Sequence, residues 1–369
     1  MMKKPANPAE STLTAHPPCT VGPTAYDRVW DAVRFYGNRA LLIGGEKALA
    51  AGLYPLEKAL DGCGVTLSVW PFQGEATREV AKEAAASAKS LGADIVFGMG
   101  GGRAIDTAKA AAHWAGLPVM AFPTIPATCA AVTALAVLHQ PGKEACDPFL
   151  FLDAPPGHVF LHTGILAAAP DKYLRAGIGD SIAKHVESAF KAGREALAFG
   201  DSLGLAMAAF GYETLLRVGE GALQDAGRGL DTPTFRLACG ICVINTGIVS
   251  LLVQERFNGG LAHALYYALE ELPALRDRLH GEVVAWGSLV QLCLEGKVQK
   301  ALALNQFLQS LGIPGTLIAY GLKADDPAFI SRLPRVLGQP DMKEAPCLVD
   351  EAMLYRAVLL AESLGVKAA

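Results

Sequence analysis

The sequence predicts a chain in two parts, an α/β N-terminal domain built on a parallel sheet plus an all-α C-terminal domain. Between about residues 26 and 166, short strand-like runs alternate with helical stretches rich in Ala, Lys and Glu, the pattern of parallel strands joined by crossover helices. After Pro170 the strand-like runs nearly vanish, and long Ala/Leu/Gly-rich stretches with a period of about 3.6 residues take over. A ligand is therefore expected in the cleft between the two parts.

The individual elements follow from this division. The predicted strands of the first part are residues 40–43, 65–70, 95–97 and 119–122. Residues 76–91 form one of the predicted helices between them. The prolines that interrupt the helical pattern of the second part are Pro233, Pro273, Pro314 and Pro334. The expected division of the chain is a flexible N-terminal tail at 1–20, the first domain at 21–168 and the helical domain at 169–369.

The composition is typical of a folded protein in a reducing compartment. The 369 residues are 51% hydrophobic and only 18% charged, which excludes disorder as the main state. The net charge is −4 and no run of Lys or Arg offers a patch for nucleic acid, so small soluble metabolites are the expected partners. Eight scattered cysteines lack the dense spacing of a disulfide scaffold and indicate a cytoplasmic location.

Two segments could be mistaken for a signal peptide and a membrane-spanning helix. Residues 1–20 lack the apolar core of a signal peptide, so a loose tail is expected. Residues 237–253 are the most membrane-like run, but they include Asn245 and fall short of the ~20 apolar residues of a spanning helix. We expect a buried helix there and no membrane partner. Cys239 and Cys242 form a CxxC motif in this stretch without a second pair to complete a zinc site, which favours core packing.

A glycine-rich segment, residues 98–109, is the strongest local signal. It follows a predicted strand and runs into a helix, and Gly100, Gly101 and Gly102 would let backbone N–H groups approach a pyrophosphate at the helix N-terminus. The spacing is not GxGxxG, and a glycine turn needed only for packing is the alternative. The hydroxyl-bearing segment 123–128 follows the next predicted strand, at the edge of the sheet where ligands bind.

One carboxylate and two imidazoles form the second candidate site. Asp180 ends the run Ala-Gly-Ile-Gly-Asp, and His263 and His280 are separated by Pro273, so the two histidines must come from different elements. Such a set can hold a divalent metal and leave a position open for substrate or water. The alternatives are a helix N-cap for Asp180 and hydrogen-bonded interior histidines.

Four ordered motifs resemble one known superfamily. They are GxGGGxxxDTAKA from Gly98, PTIxAT from Pro123, AGIGD ending at Asp180, and a pair of histidines, His263 and His280, of which the second opens HGExVAxGxLVQ. Together they are similar to the glycerol dehydrogenase branch of the iron-containing alcohol dehydrogenase and dehydroquinate synthase superfamily. The resemblance extends from about residue 22 to the C-terminal helices.

The resemblance implies a dehydroquinate synthase-like fold, with a Rossmann-like dinucleotide-binding domain at 21–168 and a metal-binding, catalytic helical domain at 169–369. It places one divalent metal on Asp180, His263 and His280, usually zinc in this branch, with iron as the alternative. NAD or NADP is the implied cofactor. The positions that the resemblance assigns to the dinucleotide are Gly100, Gly101, Gly102, Asp106, Thr124, Thr128, Thr133 and Leu135.

Two departures from the branch concern the cofactor. Gly45 stands where the branch usually has an Asp that touches the adenine ribose, and Lys47 could supply a charge for a 2′-phosphate. NADP is therefore expected to be accepted at least as well as NAD, unless Glu46 takes the role of the missing Asp. His139 replaces a Tyr near the nicotinamide, and it is either a proton acceptor or a packed structural histidine.

Two further departures concern the substrate. Cys129 replaces an Asp that can accept a hydrogen bond from a polyol, and Tyr266 with Tyr267 replaces a His-Asn pair. Lys184 lies four residues after Asp180, as in relatives that reduce 2-oxo acids, and could face a substrate carboxylate. A solvent-facing Lys184 is the alternative.

The expected chemistry is hydride transfer between a nicotinamide and a carbon bearing oxygen, with the metal as Lewis acid. A 2-oxo acid or its 2-hydroxy acid is expected as substrate in preference to glycerol, and a true glycerol dehydrogenase is the alternative. A lyase on the same scaffold would need a Lys where this chain has Ala183. A nucleotide-binding module without catalysis remains a further alternative, and a homo-oligomer is expected.

Overall fold

The computed structural model describes residues 16–139, 149–193 and 196–366. Six strands form one parallel sheet in the order β1-β8-β5-β4-β2-β3, and β6 pairs with β7 in a separate antiparallel pair. The strands are β1 Cys19–Gly22, β2 Arg39–Gly45, β3 Thr66–Phe72, β4 Ile95–Gly100, β5 Val119–Pro123, β6 Leu135–Val137, β7 Phe149–Phe151 and β8 His158–His162.

The predicted fold class is confirmed, because the four predicted strands correspond to β2, β3, β4 and β5 of a parallel sheet. The predicted strands do not include β1 and β8, which have four and five residues. Strand β1 begins at Cys19, within the predicted tail, while residues 1–15 of that tail lie outside the described residues.

The helices occupy the remainder of the first part and nearly all of the second. They are α1 Val29–Val33, α2 Glu46–Leu60, α3 Arg78–Ser90, α4 Gly102–Ala115, α5 Thr163–Ala168, α6 Lys172–Ala192, α7 Phe199–Gly227, α8 Pro233–Gly240, α9 Thr246–Leu252, α10 Leu261–Leu269, α11 His280–Leu294, α12 Val298–Ser310, α13 Pro327–Ile330, α14 Leu333–Leu337, α15 Pro340–Lys343 and α16 Glu351–Val366. Helix α3 begins two residues later than predicted because Thr77 caps it, its hydroxyl accepting a hydrogen bond from Val80 N at 3.2 Å.

The order of the strands reverses beside β2. The chain passes from β2 to β3 at one edge of the sheet and then crosses back to β4, from which β5 and β8 extend the sheet in the other direction. The reversal therefore lies between β2 and β4, which pair in parallel. Ligands of open parallel sheets bind beyond the carboxyl ends of the strands at such a point. In this chain those ends carry Gly45 and Gly100.

The sheet and the helices share a continuous core. Ala121 and Leu161 of the sheet belong to the same buried cluster as Ile178 and Ile182 of α6, and Trp286 of α11 is fully buried in it. Helix α6 packs against both α7 and α11. Helix α6 is therefore a central element of the core that the sheet and the helices share.

One stretch among the described residues, Pro233–Leu252, is long and apolar enough to cross a membrane by length and composition. In its most apolar 18-residue segment, 56% is buried inside the fold. The core helix of a folded domain can have the same length and composition. The stretch consists of α8, a π-helical turn Ile241–Asn245 and α9. Cys239 and Cys242 are both buried there, in agreement with the expected core packing.

Candidate active site

Three helices bring the predicted metal ligands together. Asp180 lies in the middle of α6, His263 is in the first turn of α10, and His280 is the first residue of α11. The Oδ1 atom of Asp180 is 3.6 Å from Nε2 of His263 and 3.5 Å from Nε2 of His280. One ligand atom from each residue lies within 4.8 Å of the other two. The two histidines come from different helices, as Pro273 between them requires.

The charges of this cluster depend strongly on one another. Burial would raise the pKa of Asp180, but hydrogen bonds from His263 and His280 outweigh burial and hold that pKa well below its usual range. Burial would lower the pKa of His263, but the carboxylates of Glu187 and Asp180 raise it to about 10. In the metal-free chain His263 is therefore an imidazolium between two carboxylates, where a divalent cation could replace a proton.

Glu187 is a residue of this site that the sequence analysis does not identify. It is fully buried on α6, and its Oε2 lies 2.6 Å from Nδ1 of His263. A ligating histidine commonly donates its second ring N–H to a carboxylate in this way, which leaves the other nitrogen for the metal. One carboxylate and two imidazoles with such support fit a divalent metal with an open coordination position.

Lys184 lies one helical turn after Asp180 and is only 8% exposed, which excludes the solvent-facing alternative. Its ammonium donates to the backbone oxygen of Asn258 at 2.9 Å and to Oδ1 of the same residue at 3.2 Å. These bonds use two of the three N–H donors of a lysine. Asn258 is distant from Lys184 in the chain, and no motif of the sequence marks it.

Cys129 and Tyr266 border the same cluster. Burial and the negative charge of Asp180 raise the pKa of the Cys129 thiol to about 11, although Lys184 acts in the opposite direction. Cys129 is therefore a neutral thiol at ordinary pH. The ring of Tyr266 meets that of His280 edge-on, with centroids 4.3 Å apart, so it packs against one side of the His280 ring.

The glycine loop lies at the reversal of the strand order. Gly100 has a φ of +148°, which L side chains rarely adopt, and its oxygen accepts a hydrogen bond from Thr124 N at 3.0 Å. A Cβ on Gly101 would lie 2.7 Å from Cδ1 of Ile125, so the loops after β4 and β5 pack directly on one another. Helix α4 begins at Gly102 without a side-chain cap, and its first N–H groups can therefore bind an anion.

Asp106 and Lys109 form a buried ion pair on the inner face of α4. Nζ of Lys109 is 2.8 Å from Oδ1 of Asp106 and donates to the oxygen of Ala130 at 2.7 Å and to Oγ1 of Thr133 at 3.2 Å. It also donates to the oxygen of Leu135. Burial raises the pKa of Asp106 despite the charge of Lys109. Lys109, which the sequence analysis does not assign, thus holds the segment that carries Thr133 and Leu135 against α4.

Gly45 and His139, two further predicted residues, lie in the α/β part of the chain. Gly45 ends β2 and precedes α2, whose first residues Glu46 and Lys47 are both exposed. The N–H of His139 donates to the oxygen of Ala76 at 2.7 Å, and its half-exposed ring lies 3.9 Å from a carboxylate oxygen of Glu75. None of the contacts of His139 to described residues joins it to the metal ligands, so its role as a proton acceptor stays a prediction.

Known proteins share sequence with most of this chain. A family model for iron-containing alcohol dehydrogenase matches residues 17–152. A glycerol dehydrogenase of Escherichia coli O6:H1 is 31% identical over 93% of this chain and 94% of that protein. Hydroxycarboxylate dehydrogenase A of Escherichia coli is 33% identical over 80% of this chain and 81% of that protein.

Solved structures share the fold. A probable glycerol dehydrogenase from Sinorhizobium meliloti superimposes with a TM-score of 0.84 at 24% identity, over 97% of this chain and 99% of that one. A sulfoacetaldehyde reductase from Bifidobacterium kashiwanohense, solved in complex with NAD+, superimposes with a TM-score of 0.77 at 19% identity, over 96% of this chain and 100% of that one.

Proposed function

We propose that this chain interconverts a small 2-hydroxy acid and its 2-oxo acid. The chain belongs to the iron-containing alcohol dehydrogenase family and is a metal-dependent oxidoreductase acting on a CH–OH group. In the oxidative direction a hydride passes from the hydroxyl-bearing carbon to NAD(P)+, and the hydroxyl proton is released. The products are the 2-oxo acid, NAD(P)H and one proton.

Asp180, His263 and His280 are the residues proposed to hold one divalent metal, zinc in preference to iron. When bound, the ion would supply Lewis-acid chemistry, lowering the pKa of the alcohol or polarising the carbonyl. Asp180 contributes the negative charge of the set, and Glu187 directs Nε2 of His263 toward it. Tyr266 covers one side of His280 and reduces the access of water from that direction.

The buried ammonium of Lys184 is the observation that carries the choice of an acid substrate. It lies one turn from Asp180, two of its donors are held by Asn258, and the third is proposed to meet the carboxylate of the substrate. The neutral thiol of Cys129 supports the same choice, because a carboxylate at that position would repel an anionic substrate.

The dinucleotide is proposed to lie across the reversal between β2 and β4, with its pyrophosphate at the start of α4. Because Glu46 and Lys47 are both exposed at the start of α2, we propose that NADP is accepted at least as well as NAD. The ratio of kcat/KM for NADPH to that for NADH tests this. A preference for NADH of more than about tenfold, or about 1.4 kcal/mol, would assign the role of the ribose-binding Asp to Glu46.

The substrate proposal is tested by kcat/KM for glycerol, 1,2-propanediol and a series of 2-oxo acids. The assay uses the unaltered chain and Lys184→Met, which retains the length of the side chain without its charge. We expect the 2-oxo acids to be the better substrates. We also expect the substitution to lower kcat/KM for the acids by about tenfold or more, since a hydrogen bond to a charged group contributes about 1.5–3 kcal/mol.

Glycerol oxidation is the second candidate, favoured by a glycerol dehydrogenase relative that matches nearly the whole chain. It predicts a higher kcat/KM for glycerol than for any 2-oxo acid. It also predicts that Lys184→Met affects charged and uncharged substrates equally, because Lys184 would then serve only to hold Asn258.

A further inference from the structure

The helix that carries His263 begins without a cap of its own. Gly260 precedes α10 and has no side chain to receive the first N–H groups of the helix. Side chains of two other helices receive them: Leu261 N donates to Oε1 of Gln291 at 3.0 Å, and His263 N donates to Oε1 of Glu187 at 2.8 Å. Both side chains are completely buried. The start of α10 is therefore held from α6 and α11, the helices that carry the other two ligands.

Glu187 makes a second contact that Gln291 does not make. Its other oxygen, Oε2, lies 2.6 Å from Nδ1 of the His263 ring. An ionised carboxylate accepts hydrogen bonds and donates none, so Nδ1 must carry a hydrogen. That fixes Nε2 as the nitrogen available to a metal, and Nε2 is the atom 3.6 Å from Asp180. Gln291 instead uses its amide to donate to the oxygen of Val186 at 2.9 Å.

We propose that Glu187 is a positioning residue that sets the ring orientation and the tautomer of His263, so that the three ligands are arranged for a divalent cation before it binds. The proposal rests on the metal site put forward above and extends it to a residue that touches neither metal nor substrate. Gln291 holds the backbone of the same helix start without reaching the ring, which makes it a matched control.

The test measures Zn2+ affinity by competition with a chelator, in the absence of substrate and dinucleotide. Glu187→Gln cannot accept from both the backbone N–H and Nδ1, because one half of an amide is a donor. We expect it to weaken Zn2+ binding by about 10–100-fold. Gln291→Met removes one backbone cap of α10 and should lower the melting temperature while Zn2+ affinity stays close to that of the unaltered chain. Equal losses of affinity in the two variants would overturn the proposal.

A double-substitution experiment isolates the action through His263. In a His263→Ala background the ring is absent, and Glu187→Gln should then cause no further loss of Zn2+ affinity. A further loss of tenfold or more would show that Glu187 acts by another route and would overturn the proposal. If the substrate proposal fails, the expected Zn2+ affinities of the Glu187 and Gln291 variants stay the same. If His280→Ala does not change the Zn2+ affinity, the proposed metal site itself is contradicted.

Gly260→Ala provides a variant that keeps the carboxylate, should Glu187→Gln fail to fold. Gly260 has extended backbone angles, and a Cβ there would lie 3.0 Å from Cγ of Glu187 and 3.1 Å from Oε1 of Gln291. Both side chains would have to shift. We expect weaker Zn2+ binding in the folded variant, and an unchanged affinity would contradict the proposal.

Discussion

The two halves of the molecule build their sites from different groups. In the sheet half the proposed pyrophosphate site consists of backbone: glycines at the ends of β2 and β4 and the uncapped start of α4. In the helical half the site consists of ionisable side chains, one from each of three helices, within 4.8 Å of one another. Backbone N–H groups select only a class of ligand, an anion. A carboxylate with two imidazoles can hold a divalent metal and so determines which reaction the site can support.

This difference leads to different expectations for substitution. A side-chain site loses an essential group when one residue changes, so turnover should stop. A backbone site keeps its N–H groups under substitution and can be perturbed only through its shape, so affinity should change while the chemistry survives. Substitutions in the two sites test this contrast.

His280→Ala should reduce turnover by about 10³-fold or more, because Lewis-acid stabilisation contributes several kcal/mol and one of three ligands is lost. Bound metal per chain should fall in parallel, and the circular dichroism spectrum should be preserved. Steady-state kinetics and elemental analysis of the purified variant measure both. Full activity with unchanged metal content would refute the assignment of His280 as a ligand.

Lys109→Met should lower the free energy of unfolding by about 3–5 kcal/mol, since it leaves the buried Asp106 carboxyl without its cationic partner. Denaturant titration measures the loss. Arg103→Met on the same helix is the control, because its exposed pair with Glu75 should contribute no more than about 1 kcal/mol. Restoring part of the stability with Asp106→Asn would confirm the cause. Equal effects of the two single substitutions would contradict a structural role for the buried pair.

His185 should make the helical half sensitive to acid. Burial, with a contribution from Lys300 and Lys297, lowers its pKa to about 4 from the ordinary 6.5. The unfolded chain then binds more protons between about pH 6.5 and 4, so stability falls as the pH falls through that window, by about 2–3 kcal/mol. Denaturant titrations at several pH values should show that His185→Gln removes this part of the slope. The same substitution at the exposed His113 is the control for the loss of an imidazole.

The sequence predicts the class of fold and the three candidate metal ligands because both depend on local patterns or on residue type. Strand and helix alternation is visible over tens of residues, and Asp180, His263 and His280 stand in recognisable motifs. Gly45, Gly100 and Gly101 lie at the sheet edge where a dinucleotide is expected, because parallel strands all end at that edge.

The supporting residues could not be found in this way. Glu187 is a helical glutamate, a residue type that normally faces solvent, and only the fold places the start of α10 against it. Lys184 is predicted near Asp180 by helical spacing, but its partner Asn258 lies on a segment far along the chain. One signal was available for Glu187: it lies seven residues after Asp180, about two turns along the same face.

Gly101→Ala should give the smallest effect and the sharpest test of a site made of backbone. The added Cβ would lie 2.7 Å from Cδ1 of Ile125, so either the Ile125 side chain or the loop must shift, and a shift of the loop would move its N–H groups away from the proposed pyrophosphate position. We expect KM for the dinucleotide to rise by about tenfold, equivalent to about 1.4 kcal/mol, with little change in KM for the substrate.

The double variant Gly101→Ala with Ile125→Ala separates this effect from packing, because it removes the atoms that the new methyl group would meet. If the loop binds the dinucleotide, the double variant should recover most of the dinucleotide affinity that Gly101→Ala loses. Both the single and the double variant should keep the kcat of the unaltered chain at saturating cofactor. A loss of kcat that the second substitution does not restore, with KM for the dinucleotide unchanged, would mean that the loop is a packing turn. That result would contradict the view that one site is formed by backbone groups and the other by side chains.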